Sequence, residues 1–134
     1  MKKFTQAAGK PPHTQAEAIL QFYKGLKPHF TLPEGISIMN PYQDAGAWEV
    51  ASQFYRKYYN DSHPRWWIFG INPGRHGAGV TGVPFTDPVR LAGLCGIAND
   101  WKKQAELSAQ FVYQMIDAYG GVAEFYGNYF ITAL

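Results

Sequence analysis

The chain has 134 residues, 46% of them hydrophobic and only 16% charged, with a formal net charge of +2. That length suits one compact domain, and that composition excludes a disordered chain. The small positive charge neither demands nor forbids nucleic acid, while the single cysteine, Cys95, excludes an intrachain disulfide and a cysteine metal site.

Residues 1–13, MKKFTQAAGKPPH, are polar and proline-interrupted and read as a loose, flexible arm, with residues 14–134 as a single domain. No stretch resembles a signal peptide or reaches membrane-spanning length, so a reducing cytoplasm is the expected setting. Thr14 and Glu17 have capping-box spacing, and Ala16, Ile19, Leu20, Tyr23 and Leu26 follow at helical intervals until Pro28. Asn40-Pro41 predicts the start of a second helix, with Trp48, Ala51, Phe54, Tyr55 and Tyr58 on its apolar face.

Residues 65–71, RWWIFGI, are almost continuously apolar, as in a strand buried on both faces of a parallel sheet. Asp87-Pro88 predicts a short helix ending near Gly96, and Phe111, Val112, Met115, Ile116 and Tyr119 mark another, stopped by Gly120-Gly121. A helical turn around VAEFYG leads into NYFITAL, a second buried strand running to Leu134. Two such strands separated by helices predict an α/β architecture with a parallel sheet. Two parallel strands bury themselves poorly, which predicts more protein downstream.

Ligands of α/β sheets gather at the carboxyl ends of the strands, where the glycine-rich residues 71–85 begin. The spacing is not a Walker loop, since no Gly-Lys-Ser/Thr follows, and it lacks a dinucleotide fingerprint. On these grounds alone the segment is either a structural turn or a ligand loop whose backbone amides approach a phosphate or a base. Asn72 is either a turn cap or a functional group, and Phe85 either core or a binding surface.

GINPG at residues 70–74 followed by TGVPF at residues 81–85 resembles the first active-site motif of the uracil-DNA glycosylase superfamily. The likeness is greatest to the single-strand-selective monofunctional branch, where the same interval separates the asparagine from the phenylalanine. Here Phe85 lies 13 residues after Asn72. The resemblance implies a three-layer α/β/α fold with a central parallel sheet, only partly represented in this chain. It also implies a monofunctional DNA-repair enzyme that flips uracil, or a related deaminated base, from the stack and hydrolyses its N-glycosidic bond. Asn72 would then hold a water beneath the sugar C1′, and Phe85 would stack on the flipped ring. Backbone groups of Ile71 and Gly74 would line the base pocket, while Gly77, Gly79, Thr81 and Gly82 would meet the DNA backbone. No metal and no cofactor is implied, and a monomer acting on uracil-containing DNA, single- or double-stranded, is expected.

The resemblance departs at three points. The family's second motif, a His-Pro-Ser-Pro type segment, is absent; Ala133 stands where the branch reads uracil with an asparagine; and only part of a four-stranded sheet is represented. These departures predict the N-terminal portion of a longer glycosylase, inactive or nearly so by itself. Two other classes fit the residues: a DNA-binding or damage-recognition module that kept the fold without the chemistry, and an unrelated α/β enzyme holding a nucleotide phosphate in the loop. His76 reads as solvent-facing or phosphate-adjacent and Arg75 as a candidate phosphate contact. His13, His29 and His63 show no ligand spacing, and Cys95 reads as packing.

Overall fold

The computed structural model describes residues 12–71 and 73–133. Residues 1–11, which make up most of the expected arm, lie outside the described residues, as do Leu134 of the second strand and Asn72, the expected water-holding side chain.

The first helix, α1 (Gln15–Lys24), begins where the capping box places it. Thr14 Oγ1 accepts the Glu17 N–H at 3.2 Å, and the Glu17 carboxylate reaches back to the Thr14 N–H at 3.3 Å. It ends at Gly25, ahead of Pro28. Asn40-Pro41 does start a helix, but only one 3₁₀ turn, Pro41–Gln43. The long helix α2 (Ala45–Tyr58) has its own cap, because the Asp44 carboxylate accepts the Ala47 N–H at 2.8 Å. Ala51, Phe54 and Tyr55 of its predicted face are buried, with Trp48 and Tyr58 at the margin of the core.

Strands β1 (Trp66–Gly70) and β2 (Tyr129–Ala133) pair in parallel, Trp66 opposite Tyr129 and Gly70 opposite Ala133. Between them run the short α3 (Ala78–Thr81) and α4 (Pro88–Gly93), then α5 (Leu107–Tyr119) and α6 (Val122–Asn128). Helix α4 ends three residues before the predicted Gly96, with the chain turning through Cys95.

Alternation along β2 sends Phe130 and Thr132 to one face and Tyr129 and Ile131 to the other. Tyr59, just past α2, meets Phe130 edge-on at 5.6 Å, and the α1 hydroxyl of Tyr23 lies 3.0 Å from Thr132 Oγ1. On the opposite face Tyr129 stacks on Phe125 of α6 and meets Tyr119 of α5 edge-on. The architecture is three layers, with helices on both sides of a parallel sheet.

β1 departs from its expected burial: Trp66 is 77% exposed, Trp67 64% and Phe69 58%. Its apolar sequence suits an interior strand, but among the described residues it has a neighbour along one edge only. Helix α5 shows a similar division. Val112 and Ile116 are buried as predicted, joined by Ala109 and Tyr113, whereas Phe111 and Met115 form a second stripe with Leu107 that faces outward. Residues 107, 111 and 115 are four apart and so share a face distinct from the core face.

Arg65 locks the start of β1. Its side chain is 1% exposed, and Nη1 and Nη2 bind the two oxygens of Asp61 at 2.7 and 3.0 Å. Hydrogen bonding from Arg65 holds the Asp61 carboxyl down at about 2, against an ordinary 3.8. A carboxylate depressed in the folded state contributes stability above its unfolded pKa and loses that contribution as pH falls through the folded value. We expect the acid limb of the stability profile between about pH 4 and 2 to flatten in Asp61→Asn, read by urea unfolding across pH. An unchanged limb would place the acid sensitivity elsewhere.

Candidate functional site

The carboxyl end of β2 and the loop that follows β1 border a cavity of about 300 Å³. Pro73, Pro84 and Ala133 form the sheet side of its wall, and Lys27, Met39 and Tyr42 belong to the opposite side. The lining is mostly apolar, as ligand sites in α/β proteins commonly are. Asn40 lies here too, but both ends of its amide are used: Nδ2 donates to the Leu26 carbonyl at 3.0 Å, and Oδ1 accepts the Tyr42 N–H at 3.0 Å.

Phe85 has φ 54°, the one positive value at a non-glycine position among the described residues. Such a left-handed backbone in a bulky residue costs about 1–3 kcal/mol and persists only when its surroundings enforce it. Its half-buried ring lies over Gly70, the last residue of β1. A methyl group at Gly70 would sit 2.6 Å from the ring carbon Cζ. Gly70 is therefore fixed by the approach of Phe85. Gly70→Ala should cost about 1–3 kcal/mol and displace the ring, and urea unfolding measures the loss. A neutral substitution would mean that the ring has freedom to withdraw.

The turn leaving Phe85 is tied into the core. Thr86 Oγ1 lies 2.8 Å from the Tyr113 hydroxyl, which in turn lies 3.0 Å from the Tyr126 hydroxyl and 3.3 Å from Cys95 Sγ. Burial pushes the Cys95 thiol above its usual range, which keeps it protonated and unreactive. Tyr42 holds the other side of the loop by donating from its hydroxyl to the Gly82 carbonyl at 2.9 Å.

The glycine loop folds back on itself, and this changes the roles assigned to its amides. The Gly79 N–H bonds the Gly74 carbonyl at 2.8 Å, the Thr81 N–H bonds the Gly77 carbonyl at 2.9 Å, and the Gly82 N–H bonds the Ala78 carbonyl at 2.9 Å. Thr81 is fully buried, and its hydroxyl donates to the Thr86 carbonyl at 2.8 Å. Three of the four positions expected to meet DNA phosphates thus have their donors committed to the turn. Gly79 also faces Met39, whose methyl carbon would lie 2.7 Å from a Cβ there.

Glu106 stands in no motif recognisable from the sequence. This residue occupies the N-cap position of α5 without a side-chain capping bond, and its carboxylate rests against the backbone at both Gly74 and Gly77. Those were the positions expected to line the base pocket and to receive a phosphate. Ile71, the other expected base-pocket residue, is 87% exposed and does not line the cavity. Arg75 and His76, at the turn's tip, are exposed.

A parallel sheet between helices, with a glycine loop and a cavity at its carboxyl edge, defines an α/β protein whose cavity lies where ligands of such sheets gather. The family model of the Uracil DNA glycosylase superfamily matches residues 56–134, which include both strands and the whole loop. The chain belongs to that superfamily. The crystal structure of wild-type Pedobacter heparinus SMUG2 is similar over 90% of this chain, with 46% sequence identity and a TM-score of 0.82. The match covers 52% of that protein, so this chain spans about half the length of that solved structure. A comparison with curated proteins finds no match.

Proposed function

We propose that the chain carries the first active-site motif of a DNA glycosylase that hydrolyses the N-glycosidic bond of uracil, or of a related deaminated base, in DNA. The observation that carries this reading is the placement of the residue 71–85 loop: it leaves the carboxyl end of β1, and its Phe85 is held in a strained backbone conformation against Gly70. Phe85 does not itself line the cavity, but its neighbour Pro84 does, and an aromatic ring fixed there suits stacking on an extruded base, which supplies affinity without reading sequence.

In the reaction, the bond from C1′ to the base nitrogen breaks with its electron pair leaving on the base. Water adds at C1′ and gives up a proton, which the departed base anion takes up, leaving an abasic sugar and the free base. Asn72 is assigned the orientation of that water; an amide is a weak base, which suits a reaction led by leaving-group departure. With the amides of Gly79, Thr81 and Gly82 engaged, exposed Arg75 and His76 are assigned to face DNA phosphates beside the Gly77 amide. No metal or cofactor enters this scheme, and the enzyme works as a monomer in the cytoplasm.

The test is release of uracil from a single-stranded uracil-containing oligonucleotide by the full protein. Release supports the reading. Tight oligonucleotide binding without release would favour a damage-recognition module instead, a reading that Ala133 supports, since it brings no hydrogen-bonding side chain to the cavity. Binding of free nucleotides but not oligonucleotides would point to small-molecule chemistry.

A further inference from the structure

Within the glycosylase reading, on which this inference rests, we propose that Glu106 is a positioning residue. Its carboxylate is the brace against which the glycine loop closes, and Gly74 and Gly77 lack side chains in order to admit it.

Both oxygens take part. For a Cβ built at Gly74 the three nearest atoms all belong to the Glu106 carboxyl group, and for one at Gly77 the nearest atom is the other oxygen, Oε2. One carboxylate thus spans two backbone positions three residues apart. Its own backbone is held from both directions. The Glu106 N–H donates to Asp87 Oδ2 at 2.9 Å, and the Glu106 carbonyl accepts the Gln110 N–H at 2.9 Å as α5 begins. Asp87 is in turn fully buried and held by the Arg90 N–H and guanidinium, each at 2.9 Å. A rigid junction of α4 and α5 therefore presents the carboxylate to the loop.

The ion pairs among the described residues are Arg65–Asp61 and Arg90–Asp87, and neither includes Glu106. Its carboxylate takes one long hydrogen bond, from Ser108 Oγ at 3.4 Å. The brace acts by filling space against the loop, which a neutral group of the same shape also does. Gly74 is two residues from Asn72, so a displacement at Gly74 passes through Pro73 to the reacting end of the loop. A misplacement of about 1 Å in a positioning element costs on the order of 10²-fold in rate.

The experiment compares Glu106→Ala, Glu106→Gln, Gly74→Ala and the Glu106→Ala/Gly74→Ala double variant in the full protein. Uracil release from single-stranded oligonucleotide and thermal melting are both measured. Glu106→Ala should lower kcat by about 10²-fold with KM little changed, and Glu106→Gln should restore it. Gly74→Ala should lower both kcat and the melting midpoint, yet do no further damage in the Glu106→Ala background, because the group it collides with is gone. Wild-type kcat in Glu106→Ala, failure of Gln to rescue, or equal damage from Gly74→Ala in both backgrounds would each overturn the brace. If wild-type protein releases no base, the glycosylase reading fails, and the melting half of the cycle decides the contact between Glu106 and Gly74 by itself.

Discussion

Asn72→Ala in the full protein is expected to lower single-turnover release of uracil by about 10²–10³-fold, the usual cost of removing one preorganised polar group from a reacting centre. The oligonucleotide dissociation constant should change little, because stacking and phosphate contacts are assigned to other residues. This division follows from the chemistry assigned to the site. Departure of the base builds positive charge on the sugar, and a water held beneath C1′ captures it; a methyl side chain neither holds nor orients that water. Phe85→Ala should do the reverse in part, weakening binding by the about 1–3 kcal/mol that base–aromatic stacking contributes. If Asn72→Ala released uracil at the wild-type rate, another group would have to orient the water.

What could be read from the sequence was local. Thr14 and Glu17 lie within one turn, and Asp87 stands next to Pro88, so caps and helix starts followed from neighbouring residues. Parallel pairing of the strands followed from two apolar runs separated by helices. Two kinds of feature were not local. The exposure of Trp66, Trp67 and Phe69 depends on what lies along the far edge of β1, which no pattern within the strand encodes. The job of Gly74 and Gly77 depends on Glu106, some thirty residues further on and in no recognisable motif. A glycine reveals that something approaches closely, but not whether that something is a ligand or the protein's own side chain. The same ambiguity covers Gly79, with Met39 over it, and Gly70, with Phe85 over it. Three glycines of the expected binding loop, and Gly70 at the end of the strand before it, are thus each faced by an internal side chain.

Arg65 carries the largest expected effect on stability. Its guanidinium is almost wholly buried and joins four parts of the chain. Nε donates to the Tyr126 carbonyl of α6 at 2.7 Å, and Nη2 donates to the Tyr58 carbonyl at the end of α2 at 3.0 Å. Nη1 meets Gln15 Oε1 of α1 at 2.8 Å as well as Asp61, and the plane lies 4.8 Å from the centre of the Tyr59 ring. Removing it leaves two backbone carbonyls without their donors and Asp61 without its partner. Arg65→Ala should therefore cost about 2–4 kcal/mol, chiefly from the two carbonyls left without donors at about 1–3 kcal/mol each, since Asp61 is half exposed and can turn to water. The loss is read as a lower urea midpoint with little change in slope. Arg65→Lys keeps the charge but not the planar fork that serves several acceptors at once, so it should recover only part of the loss. A loss below about 1 kcal/mol in Arg65→Ala would assign the residue the value of a surface pair. Because Arg65 directly precedes β1, the same substitution should also loosen the strand that carries the glycine loop. The uracil release rate should then fall with temperature well before global unfolding.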